Sequence, residues 1–176
     1  TYPHPLLITD AAINIAPSLE DKMHIVQNAI ELAIMMGVPE PKVAILSAVE
    51  TVNVKIRSTL DAAALCKMAD RGQIRGGLLD GPLAFDNAVS LVAAKTKGIR
   101  SAVAGQADIL VVPDLESGNM VAKQLEYLAD ALMAGVVLGT RVPIVLTSRA
   151  DTAETRTASC AIAQLMAHKR RQGVRL

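Results

Sequence analysis

Pro39-Glu-Pro41 followed by Lys42-Val-Ala-Ile-Leu-Ser47 is the stretch on which the fold turns. Two prolines fence off a loop, and Val43–Ser47 then runs apolar until its last residue. A strand covered on one side alternates apolar and polar residues. An unbroken apolar run belongs to a strand buried on both faces, as in a parallel sheet between helical layers. Upstream, Leu6–Thr9 reads as a strand. Ser18–Met36 reads as a helix with Leu19, Met23, Val26, Ile30 and Ala33 at helical spacing, opened by Pro17 and the capping-box-like Ser18-Leu-Glu-Asp21 and closed by Gly37. Downstream, a helix over Thr59–Asp70 stops at Gly72, and a strand over Ile74–Leu79 ends at Asp80-Gly-Pro. A helix over Phe85–Lys97, a strand over Ile109–Val112 and a helix over Ser117–Met133 follow. Two short strand-like runs, Val136–Leu138 and Ile144–Thr147, precede a long Ala-rich helix over Thr152–Lys169. This alternation predicts an α/β fold, a mostly parallel sheet between helical layers.

Composition narrows the function classes. In 176 residues the apolar fraction is 51% and only three aromatics occur, Tyr2, Phe85 and Tyr127, so the core is built from Ala, Val, Leu, Ile and Met. A net charge of +1 offers no basic excess for nucleic acid or a membrane surface. The cluster His168, Lys169, Arg170, Arg171 and Arg175 is terminal and reads as a solvated helix end. No apolar run approaches the length of a membrane span. Cys66 and Cys160 sit in apolar helical patterns and read as buried, reduced thiols, which places the protein in the cytoplasm. The histidines have no zinc-ligand spacing. The chain starts at Thr1 and runs straight into strand-like sequence, so a truncated beginning is expected.

In open α/β sheets ligands gather at the carboxyl ends of strands, and here the expected strand ends are polar. Leu146-Thr-Ser-Arg-Ala-Asp151 sets a hydroxyl (Ser148) and a guanidinium (Arg149) ahead of a helix start, a natural place for a tetrahedral anion. The same letters also read as a capping box, Asp151-Thr-Ala-Glu154, with a surface arginine. Asp80 and Asp86, six residues apart around a turn, fit acid–base or metal chemistry, and equally fit backbone capping. Asp114 and Asn119, in Pro113-Asp-Leu-Glu-Ser-Gly-Asn119, and Ser47, Glu50, Thr51 and Asn53 carry the same ambiguity. Markers of dinucleotide-binding, P-loop and hydrolase sites are missing.

In order, Ile8-Thr-Asp-Ala-Ala-Ile-Asn14, Lys42-Val-Ala-Ile-Leu-Ser-Ala-Val-Glu50, Asp80-Gly-Pro-Leu-Ala-Phe-Asp86, Val103-Ala-Gly-Gln-Ala-Asp108, Pro113-Asp-Leu-Glu-Ser-Gly-Asn119 and Ser148-Arg149 resemble the phosphate acetyltransferase/phosphate butyryltransferase family. They span residues 6–160, and the wording around Ser47–Ala64 is closer to butyryl-type members, including those fused behind a hydratase-like domain. The resemblance implies an architecture similar to isocitrate and isopropylmalate dehydrogenases. Residues 1–138 would form most of a second, inserted domain, and residues 139–176 a strand and helix returning to the first. The N-terminal part of that first domain, which in the family carries a further phosphate-binding arginine, would precede residue 1, leaving the isolated chain inactive. The implied reaction is acyl-CoA + phosphate = acyl phosphate + CoA, with the CoA thiol attacking the acyl phosphate carbonyl. Coenzyme A, acyl-CoA and phosphate are its substrates, no metal or other cofactor is required, and relatives form homodimers.

Carried over by position, Ser148 bonds the reacting carbonyl or thiol region and Arg149 holds the phosphate. Ser47, Thr51, Asp80, Asp86, Asp114, Asn119 and Asp151 line the substrate cleft. Acetyl-type relatives place a carboxylate base seven residues after that serine, where this chain has Thr155; Glu154 is the nearest substitute and Asp151 the second. Two rivals stand beside this reading. One is a regulatory domain that senses acyl-CoA without turnover. The other is a metal-dependent hydroxy-acid dehydrogenase of the same fold, with Asp80, Asp86 and Asp114 as ligands.

Overall fold

The computed structural model describes residues 2–173. Its elements are β1 (Leu7–Thr9), α1 (Leu19–Met35), β2 (Lys42–Leu46), α2 (Arg57–Asp70), β3 (Leu78–Leu83), α3 (Phe85–Val89), α4 (Leu91–Thr96), β4 (Ile109–Val111), α5 (Leu115–Leu128), β5 (Val136–Val137), β6 (Ile144–Val145) and α6 (Ala153–Arg171). The first four strands make one parallel sheet in the order β1-β4-β2-β3. β2 is central, and its apolar run is divided between two cores. Val43 and Ile45 join Val26, Ile30, Leu65, Ile109 and Val111 under α1 and α2. Ala44 and Leu46 join Leu83, Ala88, Val103, Leu110 and Val112 on the opposite face. The α/β fold is therefore as expected.

Ser18 caps α1 through a complete capping box with Asp21, and Gly37 takes φ 98° just past the helix end. β3 departs from the sequence reading. Asp80-Gly-Pro was expected to end a strand at Leu79, and instead it lies inside one that runs to Leu83. β3 is an edge strand, so Pro82 has no neighbour on its open side to which an N–H would donate. Gly81 is required there by space: a Cβ would lie 2.7 Å from the Ile45 carbonyl oxygen. The expected helix over Phe85–Lys97 is broken at Ser90, which is extended and accepts a hydrogen bond from the Ala93 N–H as the cap of α4. α5 starts earlier than expected because Asp114 caps it, and it ends at Leu128.

β5 and β6 stand apart from the main sheet as an antiparallel pair, Val136 opposite Val145 and Val137 opposite Ile144. α6 lies on α1, with Met166 buried against Leu32 and Met35. At its end Arg170 Nη1 donates to the Thr140 carbonyl oxygen at 2.7 Å, so this part of the basic cluster is tied down; Arg175 lies outside the described residues. Among the described residues no helix is long and apolar enough to cross a membrane.

The two thiols differ from the expectation of equal burial. Cys66 is half-buried under β3, whereas Cys160 is exposed, because the inner stripe of α6 runs through Thr155, Ser159 and Met166. Burial, and then the charges of Asp80 and Asp70, push the Cys66 thiol up to about 12. At pH 8 its thiolate fraction is then about 10⁻⁴. A thiol reagent at that pH is expected to titrate one cysteine rapidly in the folded protein and the second only after unfolding.

Candidate active site at the carboxyl rim

β2 leads into α2 on one face of the sheet, and β3, its neighbour, leads into α3 and α4 on the other. Adjacent strands whose helices leave in opposite directions open a crevice at their carboxyl ends, where α/β proteins bind ligands. Ser47, Thr51, Asp86, Asp114 and Asn119 follow the carboxyl ends of strands of this sheet, whereas Asp80 lies within β3 and Ser148, Arg149, Asp151 and Glu154 follow β6 of the separate antiparallel pair.

Asp10 follows β1. Its Oδ1 accepts the N–H groups of Ala12 and Ile13 at 2.9 Å, and its Oδ2 accepts the Asn14 N–H at 2.9 Å and Asn14 Nδ2 at 2.6 Å. Burial would raise this carboxyl, but those four donors hold it below its usual range. The loop so formed meets α5, where Gly118 is buried. A Cβ on Gly118 would lie 2.7 Å from the Asp10 carbonyl oxygen, so no larger residue allows the same approach. Asn119 is exposed beside it, with Nδ2 3.4 Å from the Ala11 carbonyl oxygen. Asp114 caps α5: Ser117 gives it both its N–H, at 2.8 Å, and its hydroxyl, at 2.7 Å. These two donors, and more distantly the charge of Lys22, hold Asp114 below the ordinary carboxylate range.

Ser47, after β2, is buried with its Oγ 2.8 Å from Ser58 Oγ, while Thr51 is exposed. Asp80 sits midway along β3, opposite Ala44, and accepts the Gly81 N–H. Asp86 is exposed on α3 and paired with Lys97 at 3.1 Å; the hydrogen bond from Lys97 is the main cause of its lowered pKa. Glu50 is 3.6 Å from the same ammonium and accepts Asn87 Nδ2 at 3.3 Å. Among the described residues no three His, Cys, Asp or Glu side chains are grouped to hold a metal ion. Asp80, Asp86 and Asp114 are each engaged by their own neighbours.

The Ser148–Asp151 turn follows β6. Asp151 Oδ2 accepts the Ser148 N–H at 2.7 Å, and the Asp151 N–H donates to the Ser148 carbonyl oxygen at 3.2 Å. The cap of α6 is Thr152, which accepts the Thr155 N–H, so Asp151 closes the turn rather than starting the helix. Ser148, Arg149 and Glu154 are exposed, and the side chains of Arg149 and Glu154 make no hydrogen bond to the described residues. Thr155 is buried, with its hydroxyl 3.2 Å from that of Thr152.

One cluster escaped the sequence reading: Lys22 of α1, with Asp61 and Arg57 of α2. Lys22 Nζ lies 2.8 Å from Asp61 Oδ2, and Arg57 Nε 2.7 Å from Asp61 Oδ1. A signal was present, since Lys22 falls four residues before Val26 on the inward stripe of α1, where a lysine needs a buried partner.

An exposed hydroxyl and guanidinium on a strand-to-helix turn, ahead of the free N–H groups of a helix start, suit a phosphate-like anion. The family model described as phosphate acetyl/butaryl transferase matches residues 3–164, and the chain belongs to that family. It is 68% identical to the phosphate acetyltransferase of Rhizobium meliloti, over 94% of this chain and 52% of that protein. It is 50% identical to the phosphate butyryltransferase of Clostridium acetobutylicum, over 92% of this chain and 54% of that protein. The crystal structure of a branched-chain phosphotransacylase from Enterococcus faecalis V583 superposes with a TM-score of 0.85 at 39% identity, covering 93% of this chain and 58% of that one. The chain thus spans about half the length of the curated relatives it matches.

Proposed function

We propose that this chain serves an acyltransferase that exchanges phosphate and coenzyme A on a short acyl group, acyl-CoA + phosphate = acyl phosphate + CoA. The observation that carries the reading, beside family membership, is the Ser148–Arg149 pair. Both residues are exposed on a turn closed by Asp151, and Arg149 keeps its guanidinium unspent among the described residues. In the acyl phosphate direction the CoA sulfur attacks the carbonyl carbon and its proton passes to a base. The carbonyl oxygen gathers negative charge, and the C–O bond to phosphate breaks as the thioester forms. Ser148 donates to the oxygen that becomes charged, and Arg149 neutralises the leaving phosphate. Glu154 accepts the thiol proton. Ser47, Thr51, Asp114 and Asn119 belong to the cleft wall of this reading, together with Asp80 and Asp86.

Residues 1–138 form the second domain of this architecture and residues 139–176 the return to the first. The protein acts in the cytoplasm as a homodimer; the exposed Tyr127, Leu128 and Leu132 at and beyond the end of α5 supply apolar surface for a partner copy.

The test is phosphate-dependent release of CoA thiol from acetyl-CoA and butyryl-CoA by the intact protein. Arg149→Ala is expected to lower kcat/KM about a hundredfold, and the faster thioester identifies the acyl preference. Measurable CoA binding with no release from either thioester would instead favour the regulatory, acyl-CoA-sensing alternative.

A further inference from the structure

Asp61 has each carboxylate oxygen taken by a different cation, and the two cations differ in exposure. The Lys22 and Asp61 side chains are 7% and 6% exposed, whereas that of Arg57 is 76% exposed. Lys22 and Asp61 neutralise each other below the surface, so Arg57 leaves the group with a net positive charge at the rim. Only Nε of Arg57 is engaged, and neither terminal amino group makes a hydrogen bond to the described residues. A guanidinium gripped through Nε presents its other two nitrogens outward as a fork, which matches two oxygens of a phosphate.

Arg57 is the first residue of α2, beside Ser58, whose hydroxyl meets that of Ser47 at the end of β2. The loop leading to it carries Val52 and Val54, both exposed. Thr51, Asn53 and Lys55 are exposed between and beside these valines, so a mixed polar and apolar surface runs into an anchored cation and fits a ligand whose amide-bearing arm ends in phosphates. Arg149 lies on a different turn, after β6, and is taken up by the transferred phosphate.

We propose that Arg57 binds a phosphate of the nucleotide end of coenzyme A, and that the buried Lys22–Asp61 pair is the anchor that positions it. The assignment rests on the acyltransferase reading. It divides the work between two arginines: Arg149 for the phosphate that reacts, Arg57 for a phosphate that only binds.

The experiment measures binding and turnover of CoA, dephospho-CoA and pantetheine by the intact protein and its Arg57→Gln variant. For the variant, the Kd and KM for CoA are expected to rise about tenfold, as for loss of one charge-assisted contact. Its kcat, its KM for inorganic phosphate and its handling of phosphate-free pantetheine stay unchanged. Dephospho-CoA that shows the same tenfold ratio assigns the diphosphate, and loss of the ratio assigns the 3′-phosphate. Asp61→Asn is expected to raise the CoA KM to a similar degree, with no further rise in the double variant. CoA affinity within twofold of wild type in Arg57→Gln, or an equal loss with pantetheine, overturns the assignment and leaves the acyltransferase reading standing. Wild-type protein that binds none of the three thiols overturns both.

Discussion

Asp61→Ala is expected to destabilise the protein by about 3–5 kcal/mol, the usual cost of removing one member of a buried ion pair. The cost arises because Lys22 is buried with Asp61 as its ion-pair partner. Once the carboxylate is gone, an ammonium is left in a poorly polar site between α1 and α2. For a chain of this size the loss corresponds to a fall in Tm of roughly 10–15 °C. Replacing both partners together, Lys22→Met with Asp61→Leu, is expected to restore stability to within about 1–2 kcal/mol of wild type, since no charge is then stranded. Thermal unfolding of the single and double variants checks this; a double variant as unstable as the single would show that Asp61 stabilises by something other than its charge. The same carboxylate makes stability depend on pH. Burial raises its pKa, but the hydrogen bonds and charges of Lys22 and Arg57 outweigh burial, and the folded value lies below the unfolded one. Its stabilisation is therefore present above the unfolded value of about 3.9. It is lost as pH falls through that value towards the folded one. Asp10 and Asp114 are depressed in the same direction and add to the acid limb, which Asp61→Asn should make shallower.

What was legible in the sequence followed from local rules. α1 was readable almost to the residue because Ser18, Asp21 and Gly37 act over three or four positions. β2 was readable because a strand buried on both faces has no polar positions to spare. Sequence reading failed where a local signal was overridden by position in the sheet. Asp80-Gly-Pro has the composition of a turn, yet an edge strand tolerates the proline and the close approach of Ile45 demands the glycine. Ser90 was read as helix interior although its side chain caps α4, a choice that depends on where the chain bends. Lys22 and Asp61 are 39 residues apart, and nothing local links them. The candidate rim was legible as a set of polar strand ends, whereas the state of each carboxylate was not. Asp86 and Asp114 carry equivalent letters in sequence, but one pairs with a lysine and the other caps a helix.

That distinction bears most directly on the base that the proposed acyl transfer needs for the thiol proton, where two carboxylates lie close in sequence. Asp151 is committed, because its Oδ2 holds the Ser148 N–H at 2.7 Å and so fixes the backbone that carries Ser148 and Arg149. Glu154, in the first turn of α6, is exposed and makes no hydrogen bond to the described residues, so its lone pairs are available to a substrate proton. The next residue, Thr155, is buried and its hydroxyl faces that of Thr152. Glu154→Gln is therefore expected to lower kcat for CoA attack on acyl phosphate by about 10²–10³ at unchanged KM for either substrate, the range for loss of a general base. Asp151→Asn keeps an oxygen that can accept the Ser148 N–H and should lose less than about tenfold. The turnover of the two variants separates the roles: Glu154→Gln within threefold of wild type, beside a collapsed Asp151→Asn, would transfer the base to Asp151 and make its bond to Ser148 a feature of the unliganded turn.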